Sequence, residues 1–318
     1  MKRVLFVSYS QTGQLTSVVQ SVAAPLVASP SVEVVFETLD PVEPYPFPWP
    51  FLQFFNTFPE TVHALPRPIH PLRVDAGKPF DLIVLAYQVW FLSPSQPMTA
   101  FLQSPDGVRL LRGRPVITLI ACRNMWLMAQ ETVKQRLHLL GAHLIDNVVL
   151  TDRAHSAATF VSTPLWMLTG RRGPFLGGVV PAAGIDAADI ADARRFGRAI
   201  EAGLPALDAA SPRALLKGLG AVKVNERLIA SESIGHRSFR LWGRLLLLLG
   251  PPSSSLRRLV LCIYIVFLAT MILTVAPVSA VIKRVLGPWM RERIARQRKY
   301  FAAPSGEADD ARGCPAHG

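Results

Sequence analysis

Five apolar runs alternate with segments of helical spacing over the first two thirds of the chain. The apolar runs lie at residues 4–8, 32–36, 81–87, 115–121 and 143–150, and the segments of helical spacing at about 17–28, 97–103, 127–140 and 185–202. Short continuous apolar runs are typical of strands buried on both faces of a parallel sheet. Because the strands alternate with helices, the pattern predicts an α/β domain with a five-stranded parallel sheet.

The order of the strands determines where a ligand binds. Right-handed crossovers leave few topologies open, and we expect a doubly wound, flavodoxin-like sheet with the order 2-1-3-4-5. In such a sheet ligands bind outside the carboxyl ends of the strands, with the first and third strands flanking the crevice. The loops after the first, third and fourth strands should therefore meet at one site.

The loop after the first strand is rich in hydroxyl and amide groups. It reads Ser10, Gln11, Thr12, Gly13, Gln14, Leu15, Thr16. A polar loop at a helix start presents backbone N–H groups and the positive end of the helix dipole, which together favour an anion. The loop has neither G-x-G-x-x-G nor the lysine of a nucleotide-triphosphate loop, so it suits a phosphate monoester such as that of FMN. The alternative is an ordinary turn with a Ser or Thr cap.

Two further loops supply an apolar face and hydrogen-bond donors. Gln88, Val89, Trp90 and Phe91 follow the third strand, and Arg123 and Asn124 follow the fourth. Trp90 and Phe91 offer flat faces for an isoalloxazine ring, while the Arg–Asn pair offers donors to ring carbonyls or a ribityl chain. The alternatives are a core position for Trp90 and a surface position for Arg123.

A proline-rich connection with many aromatic residues joins the second and third strands. Prolines 41, 44, 46, 48 and 50 exclude helix and sheet interior from that stretch, and six aromatic residues crowd residues 45–55. Such a long loop is often a lid or pocket wall, although it could simply cover a sheet edge. The apolar run 157–168 is too short to span a bilayer, so we expect it to cover the pocket mouth or to dip into a membrane interface.

The longest apolar run lies near the end of the chain. Residues 259–282 contain no charge, and as a helix they would extend about 36 Å, against roughly 30 Å of hydrocarbon. Both flanks are basic, so the positive-inside rule gives no orientation, and a kinked element returning to the same face is an alternative to a span. The predicted organisation is a flavodoxin-like domain at 1–203, a basic linker with an interfacial helix at 204–256, a membrane segment at 257–288 and a basic, partly disordered tail at 289–318.

The charge distribution supports contact with lipid. Residues 1–202 carry 17 Lys or Arg and 15 Asp or Glu, a net charge of +2, whereas residues 203–318 carry 17 and 7, a net charge of +10. The basic excess flanks the most apolar run, which favours anionic headgroups over nucleic acid as the partner. Cys122, Cys262 and Cys314 form neither a disulfide framework nor a metal cluster, and the start of the chain lacks a signal segment. We expect the cytoplasmic face of the inner membrane.

Three motifs together resemble a known family. The loop TGQLT, the stretch Tyr87–Pro97 and the stretch Ala121–Trp126 are similar to those of the flavodoxin-like proteins named dialkylresorcinol condensing enzymes, which accompany dialkylresorcinol and aryl polyene lipid biosynthesis in bacteria. Carbon–carbon condensation of the thiolase type needs an activated cysteine, and nothing marks Cys122 as one. The resemblance therefore implies flavin-dependent oxidation of a cyclohexanedione-type ring to a resorcinol, on a lipophilic substrate and in company with partner biosynthetic enzymes.

Catalytic candidates follow the fifth strand. His155 is the candidate base because its ordinary pKa lies near neutrality, and Asp152 could orient it or act itself; the alternative for His155 is a solvated loop position. Flavodoxins carry Thr or Ser where Leu15 stands, so Leu15 removes one phosphate donor and Thr16 is its replacement. Two other functions remain open: a quinone reductase using NAD(P)H, and a non-catalytic electron carrier or scaffold.

Overall fold

The computed structural model describes residues 1–153, 156–286 and 291–306, and it contains six strands within these ranges. They are β1 (Lys2–Ser8), β2 (Val32–Thr38), β3 (Leu82–Trp90), β4 (Ser93–Pro94), β5 (Pro115–Cys122) and β6 (His143–Thr151). Five strands pair in parallel in the order β2-β1-β3-β5-β6. This is the predicted flavodoxin-like order. The sixth strand, β4, was not predicted; it pairs antiparallel with the end of β3.

Twelve α-helices surround and extend the sheet in the described part of the chain. They are α1 (Gln14–Ala28), α2 (Phe51–Asn56), α3 (Phe58–Val62), α4 (Gln96–Gln103), α5 (Pro105–Leu111), α6 (Leu127–Leu139), α7 (Ser156–Thr169), α8 (Ala187–Asp192), α9 (Arg194–Gly203), α10 (Glu226–Leu248), α11 (Ser255–Leu286) and α12 (Arg291–Ala302). The prolines of residues 41–50 exclude helix there as predicted, but the chain forms α2 and α3 directly afterwards.

The sheet separates two apolar cores. Val4 and Phe6 of β1 face α1 and α9, whereas Leu5 and Val7 face the side covered by α4 and α6. Successive residues of a strand point to opposite faces, so a strand buried on both faces must be apolar throughout. This packing explains why the five strands appear as uninterrupted apolar runs in the sequence.

The packed domain extends beyond the boundary predicted after residue 203. Leu204, Leu207 and Leu216 are buried in the core beneath α1 and α9, and α10 packs against α3 and α6. Phe301, at the end of α12, is buried in the core on the α6 side. The structure therefore places most of the predicted linker, and residues 301–306 of the predicted tail, on the domain itself, because these segments cover apolar surface that the sheet and its helices leave open.

The helix α11 contains the apolar run. Its segment Ser255–Thr274 is long and apolar enough to cross a membrane, with a mean hydropathy of 2.2. Only 17% of its most apolar window is buried against the rest of the protein. A core helix of this composition would be largely buried. Most of the apolar surface of this segment is instead available for contact with something outside the described part of the protein.

Candidate functional site

A pocket lies at the carboxyl ends of β1, β3 and β5, where the strand order places a ligand crevice. It encloses about 820 Å³ of space between atoms, part of it open to solvent. Its lining consists of Thr12, Gln14, Leu15, Phe54, Gln88, Val89, Trp90, Phe91, Ala121, Cys122, Arg123, Thr163, Trp166, Met167 and Gly184. The three predicted loops thus meet at one site.

The loop after β1 ends in an open helix N-terminus. Gly13 precedes α1 with φ at +78°, in the left-handed region that favours glycine. Among the described residues no side chain caps this helix, and its first turn carries no acidic residue. The backbone N–H of Thr16 lies 3.4 Å from the hydroxyl oxygen of Ser10, which is a long contact. Donors and helix dipole at this end are therefore available to an anion.

The three glutamines of the site hold the loops together. The amide of Gln14 donates to the carbonyl of Ile185 and accepts from its N–H, at 3.1 and 2.9 Å. The backbone N–H of Gln11 donates to Oε1 of Gln88 at 3.3 Å, and its side-chain amide donates to the carbonyl of Pro46. The predicted ligand residues Gln11 and Gln14 thus have structural partners, and they fix the first loop against two neighbouring segments.

Leu15, which was expected to remove one phosphate donor from the loop, is a core residue in the structure. Its side chain is fully buried in the core beneath α1 and also reaches the pocket wall. Thr16, its predicted replacement as a donor, is exposed. Of the residues predicted to bind the cofactor, Ser10, Gln11, Gly13, Thr16 and Asn124 lie outside the pocket lining, and the others line it; the catalytic candidate Asp152 also lies outside the lining.

Two bulky residues form the tight turn that follows β3. Trp90 pairs with Ser93 across β3 and β4, which leaves Phe91 and Leu92 as a two-residue turn with φ at +50° and +60°. Two positive φ values define a type I′ turn, which Asn and Gly normally occupy. For a residue with a side chain, this conformation is less stable by about 1–2 kcal/mol. Such strain is typical of functional sites, and here the turn holds Trp90 and Phe91 at the pocket.

Trp90 belongs to a cluster of rings that forms one wall of the site. Its ring meets those of Tyr9, Tyr45 and Trp49 edge to face, with centroids 6.1, 5.0 and 5.9 Å away. Burial raises the pKa of Tyr9 to about 12, so its hydroxyl stays protonated at neutral pH. Within residues 45–54, Phe54 lines the pocket, while Tyr45 and Trp49 pack on the pocket residue Trp90.

Phe91 extends this wall toward the apolar helix α11. Its ring packs 5.1 Å from Phe54 and 5.8 Å from Phe58. Phe58 in turn packs 4.8 Å from Tyr264 of α11. Aromatic contacts thus run without a break from the pocket to α11.

Arg123 and Cys122 also line the pocket. Burial lowers the pKa of Arg123 to about 10, although Cys122 and Asp152 nearby oppose this shift; the guanidinium remains charged at neutral pH. Burial raises the pKa of the Cys122 thiol, with Glu232 as a further cause. A thiol that is harder to ionise is a poor nucleophile, which agrees with the absence of thiolase-type chemistry expected from the sequence.

The catalytic candidate Asp152 lies directly after β6. Asp152 is buried, and its carboxylate accepts a hydrogen bond of 2.8 Å from the N–H of Gly184, which lines the pocket. A side chain at Gly184 would meet the amide of Gln14 at 2.8 Å and the ring of Trp166 at 2.9 Å. Asp152 thus fixes a close-packed stretch of the pocket wall. His155 lies outside the described residues, and the roles proposed for both stay predictions.

Helix α7 supplies pocket residues that the sequence did not single out. Thr163, Trp166 and Met167 line the site, and the carbonyl of Met167 accepts a hydrogen bond from the N–H of Trp49. The run 157–168 thus contributes to the pocket wall; its two predicted roles, covering the pocket mouth or dipping into a membrane interface, stay predictions. The signal available was apolar composition, which could not distinguish Trp166 from its neighbours.

No family model matches the chain, and no curated protein matches it. Solved structures of flavoproteins resemble parts of it. The flavoprotein in complex with FMN from Lactobacillus acidophilus NCFM is 14% identical, over 47% of this chain and 93% of that chain, with a TM-score of 0.39. A flavodoxin from the domain Archaea is 9% identical over 64% and 99%, with a TM-score of 0.34. Oxidised flavodoxin 1 from Bacillus cereus is 12% identical over 62% and 95%, with a TM-score of 0.31. The strand order described above is what identifies the fold of this chain as flavodoxin-like.

Proposed function

We propose that the protein binds FMN in the pocket at the carboxyl ends of β1, β3 and β5. It acts there as a membrane-associated oxidoreductase that converts a cyclohexanedione-type ring lipid to a resorcinol, in dialkylresorcinol or aryl polyene synthesis. The observation that carries the proposal is the combination, in one pocket, of an uncapped helix N-terminus and an aromatic wall. The first suits a phosphate and the second a flat ring.

The donor set fits FMN. Thr12 and the N–H groups that open α1 would hold the phosphate, and the planar faces of Trp90 and Phe91 would contact the ring system. Two buried polar atoms beside the pocket, Oε1 of Gln11 and Nε1 of Trp49, have no hydrogen-bond partner among the described residues. Buried polar atoms are almost always paired in native proteins, so a polar ligand here would satisfy groups that the fold leaves open.

The protein would contribute binding, orientation and exclusion of water. When bound, FMN supplies the two-electron acceptor for removing one hydride equivalent and one proton from the ring. Arg123 presents a charged donor in the same pocket, where it would hold a carbonyl oxygen. His155 remains the candidate base for the proton, with Asp152 fixing the adjacent wall through Gly184.

The lipophilic substrate class is supported by the link between pocket and apolar helix. Helix α2 contributes Phe54 to the pocket and contacts α11. A substrate dissolved in the bilayer would therefore meet the pocket wall directly, at high local concentration. The cytoplasmic leaflet is the proposed location, because its anionic lipids attract the basic residues around α11.

The visible absorption spectrum of the detergent-purified protein, with FMN added, tests the cofactor. We expect flavin bands, and we expect Thr12→Glu to abolish them because a carboxylate would repel the phosphate. The matched control is Gln20→Glu, which adds the same charge at an exposed position on α1 away from its N-terminus. A protein that takes up no flavin would disprove the redox function and favour the scaffold alternative.

Turnover of a ring lipid without NAD(P)H would distinguish the proposed oxidation from quinone reduction.

A further inference from the structure

The chain is fastened to the sheet domain at the start of α11 and again at the end of α12, at residues 300–305. At its start, Arg257 is buried and donates to both carboxylate oxygens of Glu60, at 2.7 and 2.8 Å. It also donates to the side-chain and backbone oxygens of Asn56, at 3.0 and 2.9 Å. The start of the apolar helix is therefore held on the same side of any membrane as α2 and α3.

The segment after α11 returns to the same domain. The hydroxyl of Ser305 is buried, donates to Asp146 at 2.7 Å and accepts from the N–H of Asn147 at 2.6 Å. Phe301 is buried in the core on the α6 side. The hydroxyl of Tyr300 donates to Glu131 of α6 at 2.6 Å. Residues 300–305 thus dock on β6 and α6, which belong to the sheet domain.

The connection between α11 and α12 is too short to recross a bilayer. Whatever path it takes, the chain from residue 286 to residue 291 spans at most roughly 18 Å, against a hydrocarbon thickness of roughly 30 Å. If α11 crossed, α12 would have to return through the hydrocarbon to bring Phe301 to the domain. It carries Arg291, Arg293, Arg296, Arg298 and Lys299, and charged side chains are strongly disfavoured at the bilayer centre.

The exposed faces of α10 and α11 fit one leaflet instead. On α11 the buried Leu261 and Tyr264 pack on the domain, whereas an exposed apolar stripe faces away from it; its members are Leu256, Leu259, Ile263, Val266 and Leu273. On α10 the exposed Leu241, Leu245 and Leu248 lie close to the exposed Arg240 and Arg244. Apolar stripes beside arginines are typical of helices that lie in an anionic membrane interface.

We propose that α11 does not cross the membrane: it lies in the interface of one anionic leaflet, together with the exposed face of α10, and both of its flanks stay on the side of the sheet domain. This placement rests on the contacts of Arg257 and of residues 300–305 and is independent of the flavin. It differs from both arrangements considered from the sequence, a span and a kinked element that returns to the same face, but it shares with the second that both flanks stay on one side.

The placement can be tested by counting how many of two introduced cysteines are labelled on each molecule. This count does not depend on which way the protein is oriented in the vesicles. Ser253 and Glu292 are exposed on either side of α11. Ser253→Cys and Glu292→Cys would be combined with alanine at Cys122, Cys262 and Cys314. The protein would be reconstituted in sealed vesicles of phosphatidylglycerol and phosphatidylcholine, treated with a membrane-impermeant maleimide, and weighed intact by mass spectrometry.

The proposal expects each molecule to carry two labels or none, since both cysteines lie on one side. One label on each molecule would show a crossing and overturn the proposal, as would protein that fails to float with the vesicles. A second measurement uses the unmodified protein: amide exchange at Asn147 should stay slow on vesicles. Fast exchange there would show that residues 300–305 leave the domain on binding, and would also overturn it.

Discussion

The guanidinium group of Arg257 donates two parallel hydrogen bonds, of 2.7 and 2.8 Å, to the carboxylate of Glu60. The arginine side chain is 1% exposed and that of Glu60 22% exposed. This pair joins the first turn of α11 to α3, which follows the aromatic wall of the pocket. Because planar two-point pairing gives geometric specificity as well as energy, it fixes the direction in which the apolar helix leaves the domain.

Removing one partner of this pair should be costly. We expect Arg257→Met to lower the free energy of unfolding by about 3 kcal/mol, because Glu60 and the carbonyl of Asn56 lose their donors. Denaturant titration in detergent would measure it. Arg258→Met is the matched control, since Arg258 is exposed and should change stability by less than about 0.5 kcal/mol. Equal effects of the two substitutions would refute the assigned role of the pair.

The turn after β3 should reverse the usual ranking of alanine and glycine. At Phe91, with φ at +50°, we expect Phe91→Gly to be more stable than Phe91→Ala by about 1 kcal/mol, because glycine adopts positive φ without strain. At Val27, which is exposed on α1, glycine should instead be the less stable of the two by about 1 kcal/mol. Thermal unfolding of the four variants gives the comparison, and the same ranking at both sites would contradict the strained turn.

Glu232 should make stability fall as pH rises. Burial raises the pKa of this carboxyl group of α10 to about 7, although the N–H groups of Met128, Leu127 and Trp126 oppose the shift. Between its ordinary value and about 7 the folded protein holds a proton that the unfolded chain has released. The unfolding free energy contributed by Glu232 is therefore full below this window and declines across it, by a total on the order of 3 kcal/mol.

The substitution Glu232→Gln isolates this contribution. The amide can still accept the 2.8 Å hydrogen bond from the N–H of Met128 but does not titrate. We expect the variant to gain stability relative to the natural protein as the pH is raised from about 4.5 to 8, measured by denaturant titration at each pH. Glu226→Gln, at an exposed position of the same helix, should show no such gain. Parallel pH profiles for Glu232→Gln and the natural protein would rule the effect out.

Ser305 should control hydrogen exchange at the edge of the sheet. Ser305→Ala removes the acceptor of the Asn147 N–H and a donor to Asp146, so we expect a loss of about 1–3 kcal/mol and faster amide exchange at Asn147. Asp146 keeps its bonds from the N–H groups of Leu215 and Leu216, which favours a folded variant. Ser31→Ala, at an exposed turn, should leave exchange at Asn147 unchanged.

The sheet and its ligand edge could be predicted because their signals are local. Each parallel strand is an apolar run, and the chemistry of residues 10–16 is contiguous in sequence. The turn at Phe91 and Leu92 gave no such signal, since neither residue is of the type that marks a two-residue hairpin. Tertiary packing around Trp90 and Phe54 imposes that conformation, and packing of this kind does not appear in a local pattern.

The sequence pattern also gave no signal for the distant partners of residues in the C-terminal third. Residues 226–240 mix charged, polar and apolar types, and Glu232 is buried only because α6 offers its N-terminal N–H groups. Ser305 lies in a polar stretch, yet it is buried because β6 is an edge strand with an open donor at Asn147. In both cases the partner lies more than 100 residues away.

The docking of Ser305 on β6 has a consequence for biosynthesis. The N–H of Val149 on this edge pairs with Ala221, which precedes α11, but the N–H of Asn147 pairs with Ser305, which follows it. During translation the apolar helix therefore emerges while this part of the edge strand is still uncovered. An exposed edge invites aggregation. A chain shortened before α11 to make it more soluble would lose this cover, and early capture of α11 by a membrane would protect the nascent domain while its last residues arrive.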